Sequence, residues 1–298
     1  MEPYVLGLYV SLFRGRGDVY GHEEGRCVKA PLTHEVFVGH LDGTHSPIGV
    51  YPIVPLRGGF HVVWGCTDID VEDLGMARRL QSALAAAGIT AWIERSRSKG
   101  YHVWVFSAGL VTASDMRRML LLAHQVAEVP AREVNPKQEF LSGGNYGNYV
   151  RLPYPDCYDV STDKRRVLDD HNEPMPFNDF VVTAHNTRNQ PELITQLASM
   201  WVPPAPTIAV RNLDVCESVD AALVKLSPLG KVIWRDGPLE GRDRSSTLTK
   251  LAHECVRSGM NPSETKVLIT DADLRWGKYH MRPNGESEID KLVVRVFT

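Results

Sequence analysis

Cysteine is scarce in this 298-residue chain: five residues, Cys27, Cys66, Cys157, Cys216 and Cys255, no two of them at a short metal-binding spacing. The dispersed, odd count argues against both a zinc knuckle and a disulfide framework. No zinc is expected, and a reducing cytoplasm is the expected setting. No apolar stretch approaches the roughly 20 residues that span a bilayer, so no membrane partner is expected. An excess of positive charge is also lacking: the formal net charge is −3. That excludes a uniformly basic nucleic-acid coat but leaves room for a local basic groove. Repeats and low-complexity stretches are absent. The 43% hydrophobic and 23% charged content is that of an ordinary globular protein. The apolar start, Met1 to Phe13, lacks a basic n-region and an obvious cleavage site. It is read as a strand rather than a signal peptide.

The length favours one large domain and one smaller one. From Tyr4 to about Trp201, strand-like and helix-like patches alternate. The run Gly59 to Asp70 is rich in β-favouring residues and ends in polar ones, the pattern of a buried strand. Leu74, Ala77, Leu80 and Leu84 then recur at helical spacing, with Gly88 placed to end the helix. Thr90–Glu94 and Tyr101–Phe106 read as strands joined by the polar turn Arg95 to Gly100. A helix follows, with Thr112 or Ser114 as its cap and Pro130 beyond its end. Strands near Arg132–Val134 and Tyr149–Leu152 complete a mixed α/β domain over residues 1–201. The Pro-rich segment 202–209 reads as a linker. Residues 210–298 read as a small all-helical domain. There, Leu248, Leu251, Ala252, Cys255 and Val256 form one stripe closed by Gly259. Asn261-Pro262 with Glu264 marks a helix start, and Ile289, Leu292, Val293 and Val296 form a last stripe.

Two groups of residues carry chemistry. Asp68 and Asp70 stand at i and i+2 where the apolar strand ends, so alternation puts both carboxylates on one face. Adjacent acids beside an apolar core repel unless a cation neutralises them, and oxygen-only ligands suit magnesium or manganese. Two solvated acids at a strand end are the plainer alternative. Asp271-Ala-Asp273 has the same spacing in a helical stretch, where i and i+2 face apart. That pair is read as a solvated helix face or a cap. The second group is the basic turn Ser96 to Gly100 and its strand. Ser98 and the backbone N–H groups around Gly100 can donate to phosphate, Lys99 adds a point charge, and His102 is the first polar residue on the strand. His102 shares a face with Trp104 and Phe106, while Val103 and Val105 point the other way. A structural histidine and a solvated turn are the alternatives.

Taken together, these motifs resemble the archaeo-eukaryotic primase superfamily, in the branch of viral and mobile-element primase-polymerases. The resemblance runs from about Tyr4 to Pro153. It is carried by the acidic pair Thr67-Asp68-Ile69-Asp70, the turn Ser98-Lys-Gly-Tyr-His102, the third acid in Glu133-Val-Asn-Pro-Lys-Gln138, and Gly147-Asn-Tyr-Val-Arg151-Leu-Pro153. His40-Leu-Asp-Gly43 and Gly49-Val-Tyr-Pro52 fit the same branch. In the tail, Arg244-Ser-Ser and Arg275-Trp-Gly-Lys-Tyr279 resemble the helical modules that follow such primases. The resemblance implies an α/β unit and an RRM-like unit around a catalytic cleft. Asp68, Asp70 and Glu133 would bind two Mg2+ or Mn2+ ions. Ser98, Lys99, Gly100, His102 and Arg151 would hold the triphosphate of an NTP or dNTP, with Lys137 as helper. Two positions depart from the family pattern: Gly100 stands where many members have Ser, and the third acid is Glu rather than Asp, with Glu139 as a substitute.

The activity so implied is DNA primase-polymerase nucleotidyl transfer in DNA replication. Its partners would be a single-stranded DNA template, a primer strand and a replicative helicase. Arg242, Arg244, Arg275, Lys278 and Arg282 in the tail are candidates for template contact, a solvated helix face being the alternative. A metal-dependent nuclease and a catalytically silent DNA-binding or helicase-loading factor are the other classes that the residues admit.

Overall fold

The computed structural model describes residues 2–141, 144–203, 218–238, 243–280, 282 and 284–297. Arg242 and residues 204–209 of the Pro-rich segment lie outside the described residues. The chain divides into two compact units, Met1–Val202 and Pro203–Thr298.

The first unit is mixed α/β. In chain order its elements are α1 (Pro3–Leu12), β1 (Tyr20–His22), β2 (Cys27–Val28), α2 (His34–Leu41), β3 (Ile48–Val50), β4 (Val54–Leu56) and β5 (Gly59–Ile69). There follow α3 (Leu74–Ala86), β6 (Ala91–Arg95), β7 (Tyr101–Thr112), α4 (Ala113–Ala127), β8 (Glu133–Asn135), β9 (Val150–Arg151), β10 (Val167–Leu168), α5 (Phe177–Asn186) and α6 (Pro191–Met200). The larger sheet runs β10-β6-β7-β5-β4, with β8 also pairing β5, and the smaller runs β2-β1-β3-β9. All the ladders are antiparallel.

Strand alternation decides what each face of the larger sheet buries. On β7, Val103 and Val105 enter the core formed with Leu80 of α3, Met116 of α4 and Ile194 of α6. Trp104 and Phe106 enter a second core with Tyr9 of α1, Phe37 of α2, Phe180 of α5 and Val50 and Val150 of the smaller sheet. β7 is therefore apolar on both faces from Val103 to Phe106, with His102 just before that stretch. β7 continues six residues beyond Phe106 to Thr112, whose side chain accepts the Asp115 N–H and caps α4.

The start of the chain corrects the sequence reading: Pro3–Leu12 is a helix, not a strand. Val5, Leu8, Tyr9 and Leu12 recur at i, i+3, i+4 and i+7, and all four are buried, while Tyr4 is 68% exposed. That period is helical, and Pro3 is favourably placed in the first turn.

Tyr9 meets His40 of α2 at one backbone carbonyl, Pro153 O, just beyond β9. The Tyr9 hydroxyl donates to it at 2.7 Å and His40 Nε2 lies 3.0 Å away, while the Ile48 N–H donates to His40 Nδ1 at 3.3 Å. The imidazole is therefore held neutral with its proton on Nε2, and burial pushes its pKa down to about 4. A depressed folded-state pKa means that the unfolded chain binds the extra proton first. Stability should thus fall as the pH drops from about 6.5 towards 4, by at most about 3 kcal/mol from this residue. Urea unfolding across that range checks it: His40→Gln should flatten the slope.

The second unit comprises α7 (Val219–Lys225), α8 (Pro228–Asp236), α9 (Arg244–Arg257), α10 (Pro262–Trp276) and α11 (Gly285–Phe297). They surround a core of Leu248, Leu251, Leu268, Ile269 and Leu292. Asn261 and Glu264 form a capping box at the start of α10. Of the two readings of the Asp271/Asp273 pair, the solvated face fits Asp271 and the cap fits Asp273. Asp273 is fully buried and accepts the N–H groups of Lys278 at 3.1 Å, Tyr279 at 2.9 Å and His280 at 2.7 Å. The chain turns back at Gly277 over the end of α10, so Asp273 points inward while Asp271 points out to Arg275 at 3.0 Å. No helix among the described residues is long and apolar enough to cross a membrane.

Candidate active site

Where β5 ends, the sheet register lines up four ionisable side chains. Glu94 of β6 is opposite His102 of β7, His102 is opposite Asp68 of β5, and Asp68 is opposite Glu133 of β8. Directly opposed residues share a face with their Cβ atoms about 5 Å apart, so these four form one row. Asp70 follows two residues after Asp68 and is exposed.

The row is ordered by charge. His102 Nδ1 lies 2.9 Å from Glu94 Oε2, and its Nε2 lies 3.8 Å from Asp68 Oδ2. Glu94 is 1% exposed and also accepts the Trp104 Nε1–H at 2.6 Å. Burial alone would push the imidazole pKa down. The Glu94 charge and its hydrogen bond, with the Asp68 carboxylate close by, reverse this and push it up to about 10. His102 is therefore an imidazolium at neutral pH, fixed from both sides. At the other end of the row, Lys137 Nζ lies 2.8 Å from Glu133 Oε1.

The basic turn closes over the end of β5. Ser96 N–H donates to Gly100 O at 3.0 Å, and Ser96 Oγ donates to Lys99 O at 2.7 Å. Gly100 has φ +90°, and a Cβ there would stand 1.9 Å from Ile69 O. This is why the position holds Gly and admits no Ser: the turn lies directly on the strand that carries the acids.

A cleft of about 230 Å³ opens above the row. Asp68, Asp70, Ser98, Lys99, His102, Glu133, Lys137 and Arg151 all line it, so the fold brings eight of the nine candidate residues together. Gly100 shapes the turn without lining the cleft. Glu139 is directed elsewhere, accepting from Arg118 at 2.9 Å. Three further residues escaped the sequence reading. Glu94 anchors His102. Arg165, buried and with φ +56°, joins Arg97, Lys99 and Arg151 on the basic wall. Glu23 faces that wall from the β1–β2 turn: Arg165 Nη2 donates to its Oε2 at 2.8 Å, and Arg97 pairs with its Oε1. A lone acid in an apolar strand was a readable sign for Glu94. Glu23 and Arg165 had no local signal.

Among the described residues, no three His, Cys, Asp or Glu side chains are grouped closely enough to hold a metal ion by themselves. The donor set is nonetheless suited to a hard cation: Asp68, Asp70 and Glu133 offer carboxylate oxygens to one open cleft. Magnesium commonly keeps several waters and shares its shell with substrate phosphates, so an open site fits it.

Residues 22–181 match the family model of the TOTE conflict system, Archaeo-Eukaryotic Primase domain. The chain belongs to that family. The match runs from the last residue of β1 into α5, reaching beyond Pro153 to include Arg165. Membership makes the chain a primase-type nucleotidyltransferase. A crystal structure of primase RepB' aligns over 99% of this chain and 93% of that one, at 13% identity and a TM-score of 0.29. At that level the likeness carries no argument. No curated protein matches the chain.

Proposed function

We propose that this archaeo-eukaryotic primase carries out template-directed transfer of a nucleotide from an NTP or dNTP to a 3′-hydroxyl, with two divalent cations at Asp68, Asp70 and Glu133. The supporting observation is the division of one cleft into an acidic floor and a basic wall. Phosphoryl transfer asks little covalent chemistry of the protein and mostly positioning and charge stabilisation. Bound Mg2+ or Mn2+ would supply the charge that stabilises the attacking and leaving oxygens. Lys99, Arg151 and the His102 imidazolium would receive the triphosphate, with Ser98 as a hydroxyl donor. Lys137, now paired with Glu133, would exchange that carboxylate for phosphate. Every residue lining the cleft lies between Asp68 and Arg165, so catalysis is assigned to residues 1–201 and template handling to the helical part.

In that part, Arg275 stacks over Trp234 at 4.2 Å, and Arg244 donates to Trp276 O and Gly277 O at 2.9 Å each. Both are occupied in holding the helices. Lys278 and Arg282, each near the Tyr279 ring at 6.0 and 5.8 Å, are the better candidates for nucleic acid.

Primer extension with labelled ribo- and deoxyribonucleotides, with and without chelator, tests the activity. Release of pyrophosphate separates it from nuclease action, and no incorporation under any condition would sink it. His102→Ala and Arg151→Ala should each weaken nucleotide binding about tenfold to a hundredfold, as expected for loss of a charged hydrogen bond. Binding of single-stranded DNA should be spared. If DNA affinity fell and nucleotide affinity held, these residues would belong to the template path.

A further inference from the structure

The basic wall of the cleft is already answered by a negative charge from the chain itself. Glu23 sits in the turn between β1 and β2, and Arg97, Arg151 and Arg165 converge on it. Each of its oxygens already accepts from one of them: Oε1 meets Arg97, and Oε2 meets Arg165 at 2.8 Å. Arg151 is left over. Its Nη2 donates to the backbone oxygen of Glu23 at 3.0 Å, but its Nε lies 3.7 Å from Oε2 and, although buried, has no hydrogen-bond partner. The Glu23 side chain, as seated, thus hydrogen-bonds two of the three guanidiniums and leaves a buried donor unsatisfied on Arg151, a residue that lines the cleft. A phosphate group carries one more oxygen, arranged tetrahedrally, and would satisfy all three.

From this mismatch we infer that Glu23 is a resident anion of the phosphate wall, held there in the ligand-free enzyme and displaced when a polyphosphate binds. The inference rests on the triphosphate role proposed above. The carrier of Glu23 is suited to movement. β2 is a two-residue edge strand, and short edge hairpins are among the least stable parts of a sheet. Burial opposes ionisation of Glu23, but the Arg165 charge and the hydrogen bonds from Arg97 and Arg165 hold its carboxyl below the usual range. While seated, Glu23 also keeps the nearly buried Arg165 from standing as an unpaired charge, which is costly. Displacement would make nucleotide entry an exchange of anions, and the return of Glu23 would help pyrophosphate to leave.

The test uses the whole 298-residue chain and inorganic tripolyphosphate in metal-free buffer, followed by calorimetry. Glu23→Gln should bind tripolyphosphate about tenfold more tightly than the wild-type chain, one competing charged contact having been removed. Its melting temperature without ligand should be lower. Equal or weaker binding by Glu23→Gln would overturn the inference and make Glu23 a mere support for the arginines. Hydrogen exchange on the wild-type chain needs no variant. Tripolyphosphate should speed exchange of the amides at Glu23, Glu24 and Gly25, and slowing there would count against displacement. If the wild-type chain binds no tripolyphosphate, the triphosphate reading itself falls and this inference with it. If it binds but Glu23→Gln gains nothing, only the inference falls.

Discussion

Asp68→Asn should reduce nucleotide incorporation by more than about a hundredfold and leave the fold intact. Loss of a residue that merely supports a metal ligand typically costs about ten- to a hundredfold, and Asp68 is proposed as a ligand itself. Its position explains why structure should survive. The side chain is 25% exposed at a strand end, and His102 keeps its 2.9 Å contact with Glu94 when Asp68 is lost. Exchanging carboxylate for amide at such a site usually alters stability little. Primer extension by the purified variant, alongside thermal unfolding, is the measurement. Near-normal extension would remove Asp68 from the metal site, and loss of activity together with loss of folding would point to a structural role.

What the sequence made legible follows from how local each signal is. The pair Asp68/Asp70, the turn to Gly100 and the alternating face of His102, Trp104 and Phe106 are set by neighbours a few residues apart. Pairing of β5 with β7 then brings the acids, the turn and His102 to one cleft, while Trp104 and Phe106 enter the core. Glu94 was half legible. Alternation on β6 sets Trp92 and Glu94 on the face that Trp104 and Phe106 bury, and an acid there needs a partner. Glu23 and Arg165 are 142 residues apart and meet only because the smaller sheet packs against the larger one. No spacing rule reaches that far. The first helix was misread because a short apolar run fits a buried strand as well as a helix, and only its i, i+3, i+4, i+7 positions decide between them. For Asp271 and Asp273 the sequence leaves a solvated face and a cap open, because the partners that decide for Asp273 are backbone N–H groups beyond the helix end.

Glu94→Ala should be the most destabilising single change at the site. It removes the acceptor of Trp104 Nε1–H and the main counter-charge of His102 from a place that is 1% exposed. Breaking one partner out of a buried pair costs about 3–5 kcal/mol, because the other charge stays behind. Glu94→Gln is milder, since the amide oxygen still accepts from Trp104 while the charge is gone. The two variants can be told from a simple packing defect by pH. In the wild-type chain the His102 pKa is raised from 6.5 to about 10. Its stabilising contribution is therefore complete below about pH 6.5 and is lost as the pH rises through about 10. Without the Glu94 charge the imidazole should lose its proton near neutral pH, and the fall in stability between about pH 7 and 10 should disappear. Urea unfolding in chelator across that range, with the His102 ring signal followed by NMR, reads both effects. Glu94 would act through His102, so nucleotide affinity should fall in step with the loss of the imidazolium. If Glu94→Gln keeps a wild-type pH profile, His102 draws its charge from elsewhere, and the row is held by packing instead of by this pair.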